Sequence, residues 1–413
     1  MKILIITYSF LPSSKPNAKR PFYFTKAFLK EGWSVDVVTS YSEMLPQKKE
    51  LLSDPKLNIL RIEDPLETSY RKLNKSLKTV LFRTARAVLW PDQYVLWGFR
   101  ILRKISLNKY DRVLLCLRPE SLLLSFISQL SPSWIIDCQE VFYPVHIVNR
   151  RSPIPWILSP LFVKLQQKGF KKAGRVIFTS NSARQEYIRR GIVPVEKAEH
   201  IPLFYDDRIC KNTPPPKEQF VIAYFGLFGT RNGIRSPQPF FQALKQFLEW
   251  NPSARSKTRF IFYGRCENDE VVVGFIKELG LEDVVKINQQ IPYEAYIELL
   301  PKASVFLLLV AKQDTLFIPS KMLDYFKAKR PILGLIPLDS ETASILKEAN
   351  MNEYVCEEKD IMGCAKNIEK LWNKWLKGLS LCENSKTTMW SESFQTKRVL
   401  EIMRSCPPKL NPS

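Results

Sequence analysis

Residues Thr315 to Leu335 read TLFIPSKMLDYFKAKRPILGL, and the fold turns on how they are read. Ahead of them the run Val305 to Val310 is apolar throughout, the composition of a strand buried on both faces. Pro319 and Ser320 supply helix-start chemistry, and a helix over 320–328 carries Lys321, Asp324 and Tyr325 before Pro331 opens the next strand. Strand, helix and strand in that order make a βαβ unit, whose strands pair in parallel. The first amides of such a helix have no intrahelical acceptor, which suits a phosphate, and Lys321 adds a mobile positive charge beside them. Asp324, one turn further on, can accept hydrogen bonds from two vicinal hydroxyls of a sugar ring. On these residues alone, a short amphipathic helix without a ligand reads equally well.

The same alternation extends outward in both directions. Strands are expected at 219–225, 258–263, 283–287, 303–310, 331–335 and 352–356, with helices at 237–250, 268–279, 292–301, 320–328, 340–349 and 359–377. Earlier in the chain, strands are expected at 2–8, 33–39, 111–117, 133–138 and 175–179, and helices at 20–31, 119–130, 155–172 and 181–190. Between the two series lies Asp206 to Glu218, polar and stiffened by Pro214-Pro215-Pro216, which continues neither element. We therefore expect an N-terminal domain over 1–205, a linker over 206–218 and a C-terminal domain over 219–385. A last helix at 389–404 is expected to pack back on the first domain. At 413 residues the chain exceeds what one core usually supports, in keeping with two domains. Both are α/β and Rossmann-like, and open sheets of this kind bind ligands outside the carboxyl ends of their strands.

PSKMLDYFKAKRPILGL, residues 319–335, resembles the motif of the family-4 retaining glycosyltransferases of the GT-B fold, in particular the branch that builds surface polysaccharides, with its Pro-x-Lys, acid-Tyr and Pro-Ile-Leu pattern. The resemblance implies two Rossmann-like domains facing an interdomain crevice, a nucleotide-diphosphate sugar as donor substrate, and neither cofactor nor metal. It gives Pro319, Ser320 and Lys321 to the donor, and puts Asp324 in place of the second acid of the family's Glu-x7-Glu pair, which holds the ribose. Leu316 stands where many members have the first acid.

Further stretches carry the same resemblance. Tyr224-Phe225-Gly226-Leu227-Phe228-Gly229-Thr230-Arg231-Asn232 is similar to the Tyr-x-Gly turn into the donor-phosphate loop. It implies donor contacts for Gly226, Gly229, Arg231 and Arg235 and a catalytic part for Arg231, although the Arg and Lys often found in this loop fall at Leu227 and Asn232 here. Phe262-Tyr263-Gly264-Arg265 is similar to the strand-Gly segment flanking the base, with Gly264 either a donor contact or purely structural. Thr7 to Lys19 takes the place of a glycine-rich loop but holds no glycine, so the hydroxyls of Ser13 and Ser14 are the candidates for that donor contact. Trp134-Ile135-Ile136-Asp137-Cys138-Gln139-Glu140 resembles an Asp-x-x-Asp stretch on the acceptor side, which makes Asp137 and Glu140 candidates for acceptor positioning or proton handling. Trp90-Pro91-Asp92-Gln93-Tyr94-Val95-Leu96-Trp97 is similar to a Pro-Asp…Trp element of the same branch.

Composition bounds the alternatives. The chain has two histidines, His146 and His200, neither in a base-like motif, which counts against Ser–His hydrolysis and metal–His chemistry. Its eight cysteines are scattered, without a C-x-x-C pair, and read as thiols in a reducing compartment. The opening run Ile3-Leu4-Ile5-Ile6 is too short for a signal peptide core, and no stretch is apolar for the 18 residues or so that a membrane span needs. A cytoplasmic location is expected.

The net charge of +21 is unevenly distributed: residues 1–205 hold 33 Lys and Arg against 16 Asp and Glu, residues 206–413 hold 29 against 25. Such a field favours a polyanionic partner. Basic residues interleave with aromatic ones over 70–104 and 150–172, and Arg83, Arg86, Trp90, Trp97 and Trp156 are the expected membrane-facing residues on an anionic leaflet. Single-stranded nucleic acid uses similar ingredients, but no nucleic-acid motif accompanies them. The expected function is transfer of a sugar from a nucleotide-sugar to a saccharide or lipid-linked acceptor with retention of configuration. The alternative is a non-catalytic GT-B protein that binds a sugar nucleotide or glycan.

Overall fold

The structure, a computed structural model, describes residues 1–10, 16–40, 54–67, 77, 80, 84, 89, 91–92, 94–140, 158–207, 214–229, 235–266, 269–379 and 385–407. It divides into two compact units, Met1–Pro202 with Ser393–Ser413, and Leu203–Glu392. The boundary falls ahead of the stretch expected as a linker. Within the second unit the Trp375 indole N–H donates to the Pro216 carbonyl (2.7 Å), so the proline run is packed against that unit's own helix.

The first unit contains β1 (Lys2–Ile6), α1 (Lys19–Lys30), β2 (Ser34–Ser40), β3 (Leu57–Ile62), α2 (Val95–Lys104), β4 (Arg112–Cys116), α3 (Ser121–Phe126), β5 (Trp134–Cys138), α4 (Ser159–Lys172), β6 (Arg175–Phe178), α5 (Asn181–Arg189) and β7 (Ala198–His200). Its seven strands are all parallel, in the order β3-β2-β1-β4-β5-β6-β7. Three of these elements were not expected. β3, Leu-Asn-Ile-Leu-Arg-Ile, and β7, Ala-Glu-His, form the two edges of the sheet, where only part of a strand's surface is covered and polar residues are tolerated. α2 lies in a segment whose charge density hid its buried stripe of Trp97, Gly98 and Ile101. The chain's last helix, α12 (Glu392–Ser405), falls mainly in the part counted with this unit. There the Arg112 guanidinium donates to the carbonyls of Met403 (3.3 Å) and Cys406 (2.6 Å), and Arg404 pairs with Glu31.

The second unit repeats the plan with β8 (Phe220–Phe228), α6 (Gln238–Trp250), β9 (Thr258–Cys266), α7 (Asp269–Glu278), β10 (Val285–Gln289), α8 (Tyr293–Leu299), β11 (Val305–Leu309), α9 (Ser320–Ala328), β12 (Ile332–Leu335), α10 (Glu341–Glu348), β13 (Val355–Cys356) and α11 (Ile361–Leu376). Six parallel strands run in the order β10-β9-β8-β11-β12-β13. Strand sequences explain why both faces are covered. Along β8, Phe220, Ile222, Tyr224 and Phe228 enter one core, while Ala223 and Phe225 enter the core on the opposite face. β11 divides the same way, Val305, Leu307 and Leu309 against Phe306 and Leu308. A period of two with apolar residues on both sides leaves no face for water, so helices must flank the sheet on both sides. One core is strongly aromatic: Phe228 stacks on Phe262 with ring centroids 4.1 Å apart, and Phe220 meets Trp372 edge-on at 5.7 Å. Burying one such ring stabilises the fold by about 1.5–3 kcal/mol.

Candidate functional site

In the second sheet the chain runs outward from β8 to β10, then returns to build β11 to β13 on the other side, so β8 and β11 flank the reversal of strand order. Ligands of open α/β sheets settle at that reversal, beyond the carboxyl ends of the strands. Here the β8–β11 pairing stops at Ala223 and Phe306. Past that point the Phe225 amide donates to the phenol oxygen of Tyr325 on α9 (3.4 Å), and the Tyr325 ring stacks on Phe306 at 4.0 Å. Tyr325 thus pins α9 to the sheet where the two strands part.

α9 begins at Ser320, with Pro319 in the capping position, no side-chain cap and no acid in its first turn. The positive end of the helix dipole is therefore left without a resident anion from its own first turn. Lys321, on that turn, holds its Nζ 3.6 Å from the centroid of the Tyr224 ring. Gly226 lies so close that a Cβ there would stand 2.9 Å from the Lys321 Nζ, and its φ of 149° is one that side-chain-bearing residues avoid. Burial, and then the neighbouring Arg235 guanidinium, hold the Lys321 amine well below the usual lysine range. Arg235 itself adopts the left-handed conformation (φ 53°), donates through Nη2 to Asp314 (2.9 Å), and keeps a buried Nε without a partner. The Gly229 amide donates to the Arg235 carbonyl (3.3 Å). Asp324 is buried, and the Tyr296 hydroxyl donates to one of its oxygens (3.0 Å), with the Tyr296 ring edge-on against Phe225. Pro319, Ser320, Lys321, Gly226, Gly229 and Arg235 thus gather around one end of β8 and α9, with Asp324 one turn along. Tyr224 was legible only as part of its Tyr-x-Gly turn, and Tyr296 and Asp314, which help hold these groups in place, carry no signal of that role in the sequence.

Gly264 has a different reason to be glycine. It sits opposite Gly226 in the β8–β9 register, where a Cβ would fall 1.7 Å from the Gly226 carbonyl oxygen. Close strand packing by itself requires a glycine there. Arg231, Ser13 and Ser14 lie outside the described residues.

In the first unit, Asp137 ends β5 fully buried and is occupied by Arg20. The Arg20 Nε–H is 3.0 Å from both carboxylate oxygens, while the other guanidinium nitrogens donate to the carbonyls of Pro202 (2.9 Å) and Ile201 (3.0 Å). A fully desolvated, ion-paired carboxylate is a structural tie, which corrects the expectation that Asp137 handles an acceptor. Glu140 pairs with Arg118 (2.5 Å), both partly exposed, yet burial outweighs that partner and lifts the Glu140 carboxyl above its usual range. Glu120, just past β4, is raised well above it by burial and then by the Asp92 and Glu140 carboxylates. Asp92 accepts from the amides of Ser121 (3.0 Å) and Tyr94 (2.9 Å), capping α3. Burial, with Arg398 next, holds His200 down to about 4, so it is neutral at neutral pH.

Trp97 is not a membrane-facing residue. It is fully buried, its indole N–H donates to the Ile62 carbonyl (2.8 Å), and its ring lies edge-on to Tyr8 at 5.0 Å. Arg83, Arg86, Trp90 and Trp156 lie outside the described residues. Among the described residues no helix is long and apolar enough to cross a membrane, and no group of three or more His, Cys, Asp or Glu side chains is arranged to hold a metal ion.

No protein-family model matches the sequence, and no curated protein matches it. Solved structures do. The chain is similar over 98% of its length to sucrose-phosphate synthase from Thermosynechococcus elongatus, covering 98% of that chain at 13% identity with a TM-score of 0.65. Over 98% of its length it is similar to a variant of S. aureus TarM in complex with Fondaparinux, alpha-GlcNAc-glycerol and UDP, covering 100% of that chain at 11% identity with a TM-score of 0.63. It is similar, again over 98% of its length, to WaaG, a glycosyltransferase involved in lipopolysaccharide biosynthesis, covering 100% of that chain at 13% identity with a TM-score of 0.59. With two parallel sheets of seven and six strands, each flanked by helices, the chain has the α/β GT-B fold of two Rossmann-like domains.

Proposed function

We propose that the protein is a cytoplasmic glycosyltransferase that moves a glycosyl group from a nucleoside diphosphate sugar to a saccharide or lipid-linked acceptor, with retention of configuration and without a metal. The observation that carries this reading is Lys321: an ammonium held against the face of Tyr224, beside an uncapped helix start, with Arg235 close by and no carboxylate paired to it among the described residues. A diphosphate supplies the charge this arrangement lacks. The sequence resemblance adds Arg231 to the same loop, and TarM, of the same fold, was solved with UDP.

In the reaction the bond between the anomeric carbon and the diphosphate oxygen breaks. The acceptor oxygen bonds to the same face of that carbon, and its proton passes to the departing diphosphate. Lys321, Arg231 and Arg235 stabilise the negative charge that develops on the leaving group, while the amides of Ser320 and Lys321 orient it. Gly226 and Gly229 let the backbone approach the diphosphate, and Asp324, braced by Tyr296, accepts from the ribose hydroxyls. Glu140, with its raised pKa and its Arg118 partner, is assigned to the acceptor.

Donor hydrolysis tests the assignment. The wild type is expected to release nucleoside diphosphate slowly from one donor of a panel. Lys321→Ala is expected to lose about a hundredfold in that rate, the size of removing one charge-stabilising donor, and Asp324→Asn to raise KM for the donor. Unchanged release in both variants overturns the reading.

A further inference from the structure

Helices α2 and α4 show a feature that the nucleotide site does not use. α2 joins β3 to β4 and α4 joins β5 to β6, so both connections advance across the sheet in the direction opposite to the β1–α1–β2 connection. Right-handed crossovers then set α2, α3 and α4 together on one face of the first sheet and α1 on the other. The contacts agree: α2 packs on α3, and α3 on α4. The outward stripes of α2 and α4 therefore look the same way. On α2 that stripe presents Leu96 (39% exposed) and Phe99 (47%), followed one turn later by Arg103. On α4 it presents Leu161 (48%), then Lys164 and Lys168 at successive turns. Across the three helices there are seven Lys and Arg and no Asp or Glu.

We infer that this face docks on a membrane surface rich in anionic lipid. Each stripe has large apolar side chains at the amino end of its helix and cations further along, the pattern of a surface that dips side chains into the acyl boundary while its charges meet headgroups. A second copy of the chain does not fit, since it would bring the same excess of cations face to face. Nucleic acid answers the charge but leaves Leu96 and Leu161 uncovered. The docking face goes beyond the transferase reading and does not depend on it, because no residue assigned to the donor lies on either helix.

Flotation of the full chain tests it, with vesicles of phosphatidylcholine alone and of equimolar phosphatidylcholine and phosphatidylglycerol. Binding to the anionic vesicles only, weakening as salt rises, is expected. Lys164→Gln with Lys168→Gln should lower partitioning roughly thirtyfold, from about one cation's contribution at each site. Leu96→Ser with Phe99→Ser should abolish the part that survives high salt. All four positions are exposed, so thermal unfolding and donor hydrolysis should stay at wild-type values. The inference is overturned by equal binding to both vesicle types, by wild-type partitioning of both variants, or by tighter binding to a single-stranded oligonucleotide than to the anionic vesicles.

Discussion

An ammonium ordinarily has water or an anion around it, and Lys321, only partly exposed, has the face of Tyr224 on one side. The Tyr224 quadrupole returns part of the lost solvation. The remainder shows as an amine held below its ordinary pKa by burial and by Arg235. The linkage is direct. Between the folded-state pKa of Lys321 and the usual lysine value of 10.5, the unfolded chain binds more protons, so this group's contribution to stability rises with pH across that window and is at its least favourable below it. Lys321→Met keeps the stem and the aromatic contact but removes the charge. It is expected to raise ligand-free stability at neutral pH by roughly 0.5–2 kcal/mol, the exchange common at functional sites. Thermal unfolding of the two proteins without ligand checks this, and a destabilised variant would show Lys321 to be a structural residue. Asp137 is the contrasting case: its surroundings were unreadable because its partner, Arg20, lies 117 positions away in sequence.

The β8–β9 seam shows how a single element sets the site. Gly226 and Gly264 face each other across it, but a side chain would meet different atoms at each. At Gly264 a Cβ runs into rigid backbone at 1.7 Å; at Gly226 it meets the far end of a flexible lysine at 2.9 Å. Gly264→Ala is therefore expected to destabilise the second unit by about 1–3 kcal/mol through overpacking. Gly226→Ala should chiefly displace Lys321 and weaken nucleotide affinity, with a smaller loss of stability from its φ. Denaturant unfolding beside nucleotide titration separates the two, and equal loss of stability in both would contradict the geometry. At this scale much was legible. The continuous apolar runs of β8 and β11 announced strands covered on both faces, and Pro319-Ser320 announced the start of α9. The edges β3 and β7 were not legible, because an edge strand need not be apolar.

At the scale of the whole molecule, the repeated alternation of strand and helix sufficed for two α/β units, since parallel strands need helical crossovers and those impose a period on the sequence. The return of the last helix to the first unit was legible, but the point where the chain divides, between Pro202 and Leu203, was less so, because no proline or polar run marks it. The charge asymmetry was visible, but its placement was not. Composition could not distinguish Trp97, in the core, from Phe99, on the surface two positions later, until the phase of α2 was known. These scales meet where a helix start, a lysine with no carboxylate paired to it among the described residues, and an arginine converge beyond the end of β8, where we propose that a diphosphate is held. Isothermal titration of nucleoside diphosphates, beginning with UDP and with the monophosphates as controls, tests it most directly. One diphosphate is expected to bind, and Lys321→Met to weaken that binding at least about tenfold, the loss of a charge-assisted contact. Binding of equal strength in Lys321→Met, or no diphosphate bound by the wild type, would contradict it.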